Sequence, residues 1–377
     1  MTRASARETG ETVLVAMSGG VDSSVAAALL VEAGYRVTGV TFALRPAATG
    51  GAGQDAADSG GGRGCCGADA AGDAARVARQ LGIPHRVLDL TEPFERHVIA
   101  PFVLDYARGR TPNPCVECNA HIKFGHLAAY ADRLGLARIA TGHHARHATI
   151  DARPAILRGT DVRKDQSYVL WNVRPAVLER MLLPVGEIDK AEVRRRATAL
   201  GLPVAGKAES QDVCFIERGR YDAFLRARLG DAVRPGPITD ADGAVLGRHD
   251  GIVGFTVGQR RGLGIAAPEP LYVTGIEPVT RTVRVGGVGA LDAAGLVAER
   301  PNLLDATPLA GGDALEVQVR YGRLAHAARL QRLDAAGFEL AFDAPVRAVV
   351  PGQSAVLYRG PRLLGGGVIV RAVRRAA

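Results

Sequence analysis

The sequence predicts an α/β protein in two parts, a parallel-sheet domain followed by roughly 150 residues of mostly β structure that would fold as one or two small barrels. Three observations predict it. A strand, a helix and a strand follow one another in residues 12–42, the same alternation returns before residue 144, and beyond about residue 220 the texture changes to short β-like runs separated by Gly, Pro and Asp. A strand, helix, strand order calls for a parallel sheet, because the crossover helix returns the next strand in the same direction.

Residues 1–11 are polar and read as a disordered tail. Thr12 to Ala16 is a short apolar run, hence a buried strand, Met17 to Asp22 is a Gly-containing turn, and Ser23 to Ala33 carries an Ala/Leu/Val face at helical spacing. Gly34 stops that helix and Arg36 to Phe42 resumes as a strand. Residues 46–64 are rich in Gly, Ala and Asp without periodicity and read as a flexible surface insertion. Helical pattern returns at Asp73 to Leu81, followed by a strand over Arg86 to Leu90 and a helix near Phe94 to Gly109. Phe124 to Leu134 and Arg138 to Thr141 make another helix and strand, ending at Gly142-His143-His144. The later β-like runs include Gly251 to Val257, Leu271 to Ile276, Thr282 to Val285, Leu315 to Tyr321, Phe338 to Phe342, Ala355 to Tyr358 and Gly367 to Val373.

At 377 residues with 47% hydrophobic and 23% charged residues, the chain holds enough apolar material for more than one core, which argues against a single small module and against wholesale disorder. The longest apolar run, Val25 to Val31, is far short of the roughly 18 residues of a membrane span, and Arg3 and Arg7 precede no signal-like segment, so a cytoplasmic protein without a membrane partner is expected. The net charge of +8 would attract polyanions such as nucleic acid or nucleotides, although an Arg-, Ala- and Gly-rich composition also follows from a high-GC genome.

Ser18-Gly19-Gly20-Val21-Asp22-Ser23 lies between the first strand and the first helix, where backbone N–H groups and the helix N-terminus converge on an anion site. The two glycines let the backbone approach a phosphate, Ser18 and Ser23 can donate hydroxyl hydrogen bonds, and Asp22 can cap the helix or face a metal such as Mg2+. No Gly-Lys-Ser/Thr follows, which excludes the Walker loop. An α/β sheet puts its ligand crevice at this junction.

Five cysteines, Cys65, Cys66, Cys115, Cys118 and Cys214, are too few and too unevenly placed for a secreted disulfide framework and point to redox, metal or sulfur chemistry. Cys115 and Cys118 sit in Gly109-Arg110-Thr111-Pro112-Asn113-Pro114-Cys115-Val116-Glu117-Cys118-Asn119, where two prolines predict an extended or turned loop rather than a helix. Cys214 precedes the apolar pair Phe215-Ile216. Half of a zinc site and a small buried hydrophobe are the plain alternatives for these thiols.

The loop SGGVDSS resembles the pyrophosphate loop of the ATP pyrophosphatase (PP-loop) superfamily, whose members cleave ATP to AMP and pyrophosphate to adenylate a substrate. With GRTPNPCVECN, Ile122-Lys123-Phe124, Ala140-Thr141-Gly142-His143, Lys164-Asp165-Gln166-Ser167-Tyr168, Cys214-Phe215-Ile216, Thr256 to Gly264, Arg320-Tyr321 and Pro351 to Val356, the chain resembles the bacterial tRNA-specific 2-thiouridylase (MnmA) family over nearly its full length. That resemblance implies a PP-loop ATP pyrophosphatase domain over 12–220, a small central β domain over 221–290 and a C-terminal β barrel over 291–377. It implies adenylation of the C2 oxygen of a wobble uridine by ATP, followed by replacement of that oxygen by sulfur, with a sulfur donor protein or sulfide source as partner beside tRNA.

The resemblance also assigns residues. Cys118 matches the nucleophile and Cys214 the persulfide carrier, with a disulfide between them afterwards. Ala16, Met17, Ser18, Gly19, Gly20, Val21, Asp22 and Ser23 match the ATP loop, Phe42 a backbone contact to adenine where a methionine is common, and Gly142 a further ATP contact. Asn113, Pro114 and Cys115 match the segment facing the target base. His143, Lys164, Asp165, Gln166, Arg320, Tyr321 and Gln353 match positions that touch tRNA. Cys115 stands where some members carry an aspartate, and Cys115, Cys118 and Cys214 together offer the three thiolates of a [4Fe-4S] cluster with one open iron, so a cluster route and a metal-free persulfide route are both open. The competing readings are another adenylating enzyme of the superfamily and a nonenzymatic RNA-binding or metal-binding protein.

Overall fold

The computed structural model describes residues 10–44, 68–208, 213–216, 221–305 and 307–374. Of the tail expected over residues 1–11, residues 1–9 lie outside the described residues, as do the insertion over 46–64, Cys65 and Cys66, whereas Glu11 is described and pairs with Arg138. The chain divides into two compact units, Met1–His97 with Glu117–Glu217, and Val98–Val116 with Arg218–Ala377.

In the first unit the strands are β1 (Thr12–Ala16), β2 (Arg36–Ala43), β3 (His85–Asp89), β4 (Arg138–Ala140), a hairpin of β5 (Ala145–Ile150) and β6 (Arg153–Arg158), and β7 (Met181–Leu182). The sheet runs in the order β3-β2-β1-β4-β7 and every pair in it is parallel, as the strand, helix, strand order predicts. Val13, Leu14 and Val15 are fully buried because helices cover both faces of a parallel sheet. Helix α1 (Val21–Glu32) presents Val25, Ala26 and Leu30 to a core shared with Val77, Val193 and Ala197. Its small residues permit close packing on the strands. The strand order reverses between β1 and β4, so their carboxyl ends open one crevice.

The second unit holds two β layers. A four-stranded sheet in the order β10-β11-β8-β9 is built from β8 (Gly236–Thr239), β9 (Val245–His249), β10 (Tyr272–Glu277) and β11 (Thr282–Gly286), around Ile238, Leu263, Val273, Val283 and Val285. A barrel follows, made of β12 (Asp292–Leu303), β13 (Ala314–Gln318), β14 (His326–Leu333), β15 (Gly337–Arg347), β16 (Ser354–Arg359) and β17 (Arg362–Val373). Antiparallel pairing runs β12-β15-β14-β13-β16-β17, and β17 pairs back onto β12 to close it. Closure leaves no exposed edge and encloses Leu296, Val317, Leu330, Phe338, Leu340, Leu357 and Ile369.

Val98–Val116 is read from the sequence as part of the first domain, yet it groups with the second unit. The reason is packing: Phe102, on the helix Ala100–Ala107, sets its ring 6.4 Å from those of both Tyr221 and Phe224 on the helix Tyr221–Leu229. One sequence expectation is corrected. The segment around Cys115 is not a loop throughout, because Pro114–Glu117 is a helical turn that passes into a π-helical stretch over Cys118–His126 and on to Leu127–Arg133. Pro114 stands at the first helical position, where its missing N–H costs nothing. Asn113 caps the turn, accepting a hydrogen bond from Cys115 N at 3.1 Å on its Oδ1.

Candidate functional site: an anion loop and a pair of thiols

The Ser18–Ser23 loop is closed on itself by hydroxyls. Ser18 N donates to Ser23 Oγ at 3.1 Å, Ser23 Oγ donates to Gly20 O at 3.2 Å, and Ser24 Oγ reaches the same carbonyl at 2.8 Å. Gly19 takes φ +67°, a left-handed conformation that the turn from β1 into α1 requires. Thr41 Oγ1 donates to Met17 O at 2.6 Å, which uses its only proton, so the contact with His85 Nε2 at 2.9 Å places the imidazole proton on Nε2. Burial pushes His85 below the usual histidine range, in keeping with that neutral form. Met17 N donates to Val40 O at 2.8 Å, so β2 holds the loop's first residues from both sides. Phe42, the residue expected beside adenine, is the last but one residue of the same strand and is buried.

Gly142 closes the crevice from β4. A Cβ there would lie 2.5 Å from Ser23 N and 2.6 Å from the Asp22 carbonyl carbon, so only glycine fits against the first turn of α1. Asp22 does not cap the helix; Gly20 stands at the N-cap position with no side-chain cap. Instead Asp22 Oδ1 accepts from Lys190 Nζ at 2.5 Å and from His144 Nε2 at 3.1 Å. Burial alone would raise the Asp22 carboxyl, but the hydrogen bonds from His144 and Lys190 outweigh it and hold the group below its ordinary 3.8. His144 is buried, and its Nδ1 has no hydrogen-bond partner among the described residues. Lys207 Nζ donates to Gly19 O at 3.0 Å and to Asp73 Oδ2 at 2.7 Å, adding a second ammonium at the loop.

Gln166 and Asp165, expected at tRNA, are engaged within the first unit. Gln166 Oε1 accepts from His144 N at 2.8 Å while Gln166 N donates to His144 O at 2.8 Å, so this residue brackets the histidine that holds Asp22. Asp165 accepts from Gly159 N, Ser167 N, Ser167 Oγ and Arg158 Nη1 at 2.8–3.3 Å, which makes it the centre of a turn. Lys164 lines a cavity of about 740 Å³ together with Thr160, Asp161, Asp189 and Lys190. His143 is buried, bonded through Nδ1 to Thr141 Oγ1 at 2.8 Å and stacked on Phe124.

Cys118 and Cys214 belong to the same unit as the loop. Cys118 is buried at the start of the π-helical stretch, directly after the helical turn Pro114–Glu117. Cys214 is half-buried in a short turn, Ile216 N donating to Val213 O, and Phe215 beside it packs edge-on against Phe94 at 5.7 Å. Ser210, Gln211 and Asp212 lie outside the described residues. Cys115 is exposed and belongs to the other unit. No group of three or more His, Cys, Asp and Glu side chains is gathered to hold a metal among the described residues.

In the second unit the stem of the Asn113 segment is fastened to both β layers. Thr111 N donates to Pro351 O at 2.8 Å, Gln353 Nε2 donates to Thr111 O at 2.8 Å, Thr111 Oγ1 donates to Thr256 Oγ1 at 3.2 Å, and Arg110 pairs with Glu299 at 2.6 Å. Gln353 thus spends its amide on the loop stem. Arg320 and Tyr321 are exposed in the loop after β13.

Three family models match in order: "tRNA methyl transferase HUP domain" over residues 11–218, "tRNA methyl transferase PRC-barrel domain" over 222–287 and "Aminomethyltransferase beta-barrel domain" over 293–369. The tRNA-specific 2-thiouridylase MnmA of Carboxydothermus hydrogenoformans is 44% identical over 95% of this chain and 97% of its own length. The chain belongs to the tRNA-specific 2-thiouridylase family. The enzyme of the same name from Sorangium cellulosum is 46% identical over 98% of this chain and 94% of its own length, and the bifunctional protein NifU/MnmA of Rubrobacter xylanophilus is 48% identical over 95% of this chain and 70% of its own length. Lys190, Thr41, His85 and Lys207 are residues around the loop of this 2-thiouridylase chain that the sequence did not single out, and His144 and Thr111 stood in quoted segments without a role. Lys190 follows Asp189, whose side chain caps its helix by accepting from Glu192 N at 2.7 Å, and that Asp-Lys-x-Glu start was the readable signal.

Proposed function

We propose that the chain catalyses ATP-dependent 2-thiolation of a wobble uridine in tRNA, in the cytoplasm, with ATP and tRNA as substrates. The observation that carries this reading is the placement of Cys118 and Cys214 in one unit with an anion loop that Gly142 closes. The N-terminus of α1 and the loop amides hold the ATP phosphates, and Lys190 and Lys207 offset their charge. The uridine O2 attacks the α-phosphorus, pyrophosphate leaves, and the C2 carbon gains a leaving group that a urea-like carbonyl lacks. The terminal sulfur of a Cys214 persulfide attacks C2 and AMP departs with the original oxygen. Cys118 then attacks the Cys214 sulfur, which frees the 2-thiouridine and leaves a Cys118–Cys214 disulfide for an external thiol to reduce.

Reloading takes one of two balanced routes: a donor protein's persulfide passes its outer sulfur to the reduced Cys214 thiol, or hydrosulfide attacks the disulfide at Cys214, expelling the Cys118 thiolate and leaving the Cys214 persulfide. Mg2+ enters as the counter-ion of the ATP phosphates, since it keeps several waters and needs no all-protein cage, and Asp22 Oδ1 is already engaged by Lys190 and His144. No step is routed through a cluster. We also propose that residues 12–220, 221–290 and 291–377 act as the nucleotide, central and barrel domains, with Asn113, Pro114 and Cys115 facing the base, which must leave its stack to react. Arg320 and Tyr321 touch the tRNA from the barrel, and Lys164 from the nucleotide domain.

The test is nucleoside mass analysis of tRNA incubated with ATP, a sulfide source and the protein. Cys118→Ser and Cys214→Ser are each expected to abolish 2-thiouridine while leaving tRNA affinity within about twofold. Full activity in either variant overturns the cysteine mechanism, and iron loading with activity in anaerobic protein, both lost in Cys115→Ala, would restore the cluster route.

A further inference from the structure

The motif Thr256-Val257-Gly258-Gln259-Arg260-Arg261-Gly262-Leu263-Gly264 has no part in the chemistry above, yet the second unit builds it with care. Gly258 N donates to Val273 O at 2.8 Å and Val273 N donates to Gln259 O at 2.9 Å, which ties the loop to β10. Gln259 then braces the loop with its side chain, accepting from Thr256 N at 3.0 Å and donating to Arg261 O at 2.9 Å. Leu263 is buried in the core of the four-stranded sheet, so both ends of the turn are anchored. Gly258 and Gly262, which flank the arginines, take φ +89° and +78°, conformations that turn the chain outward.

The result is a braced turn that presents two adjacent guanidinium groups to solvent. Arg260 and Arg261 are exposed, and neither forms an ion pair among the described residues. Neighbouring like charges repel, and nothing within the loop compensates them. Arg332 in the same unit, by contrast, pairs with Asp334 and Glu339, and Arg347 pairs with Asp292.

We propose that Arg260 and Arg261 form a phosphate clamp for the backbone of the RNA substrate. Guanidinium forks match phosphate oxygens, and a fixed pair on a rigid turn loses little freedom on binding. An RNA backbone is favoured over an acidic protein because the loop is continuous with the base-facing segment: Thr256 is hydrogen-bonded to Thr111, four residues before Cys115. The inference rests on the tRNA-thiolation reading for the identity of the RNA.

The experiment measures binding of an unmodified tRNA transcript that the wild-type protein thiolates, across a range of salt concentrations. Arg260→Gln/Arg261→Gln should raise Kd about tenfold at low salt and flatten the slope of log K against log salt by about two, one per lost contact. Arg332→Gln, whose charge is already paired, should change neither. Equal affinity and slope for the double variant and the wild type overturn the clamp, and so does a double variant that binds tRNA normally but thiolates only with inorganic sulfide, which would make the surface a protein dock. Thiouridine formation by the wild type in the same preparation separates failure of the clamp from failure of the thiolation reading.

Discussion

Gly142→Ala is expected to disable ATP use in a chain that still folds. The added Cβ would stand 2.5 Å from Ser23 N, 2.6 Å from the Asp22 carbonyl carbon and 2.7 Å from Ser23 Cα, whereas ordinary contact begins at 3.4 Å. All three are backbone atoms, so no side-chain tip can swing away. The end of β4 and the first turn of α1 must therefore separate by about 1 Å, and a misplacement of that size costs on the order of 100-fold when it moves a reacting group. Overpacking of this kind removes about 1–3 kcal/mol of stability, which a chain of this size tolerates. Pyrophosphate release with tRNA present, titrated with ATP, should show kcat/KM for ATP lowered about 100-fold with cooperative thermal unfolding retained. Gly72→Ala is the internal control: Gly72 lies inside the helix Ala68–Leu81 with only Arg76 Nη1 at 3.8 Å, so alanine there should stabilise by up to about 1 kcal/mol and leave ATP use alone. Wild-type kcat/KM in Gly142→Ala would show that the close approach of β4 to α1 has no part in holding the nucleotide.

Lys190→Met should cost at most about 3 kcal/mol, because it strands Asp22 in a pair that is mostly buried, and denaturant unfolding measures it. The Asp22 carboxyl is held below 3.8, so its pairing stabilises the fold above that value and the contribution is lost as pH falls through the lower folded value. Asp22→Asn should accordingly lose less stability than the wild type on acidification from about pH 4 to about pH 2, and parallel curves would contradict the pairing. Gln353→Ala should lower kcat about fivefold or more with tRNA Kd within about twofold, because its amide holds Thr111 in place; a change in Kd alone would make it a tRNA contact instead.

The phosphate loop was legible because every residue of it lies in one strand-to-helix junction, where local pattern and backbone chemistry coincide. Its supports were not. His144 and Lys190 reach Asp22 from 122 and 168 positions along the chain, a closeness that only the strand order β1-β4-β7 creates. The barrel strands were readable as apolar runs, but the return of β17 onto β12 is a fact of closure that no local run contains. The β5–β6 hairpin went unread for a definite reason: its turn uses Asp151 and Ala152 at φ +50° and +61°, where an Asn-Gly or Asp-Gly pair would have announced it. Pro114 misled in the other direction, since a residue that breaks a helix interior also begins one.

The grouping of Val98–Val116 with Arg218–Ala377 has a consequence for anyone who would dissect the protein. The backbone passes between the units three times, so neither unit is a contiguous stretch and no single cut liberates one. A fragment ending near residue 217 keeps the helix Ala100–Ala107 but loses Tyr221 and Phe224, baring Phe102. It also loses the β layers that fasten Thr111. A fragment starting near 218 loses the anchored stem together with Cys115. Such halves should be poorly soluble and prone to associate through the bared aromatic face. The same threading makes the Thr111 stem and the barrel inherited as one piece, so that shuffling the barrel between relatives would have to carry residues 98–116 with it.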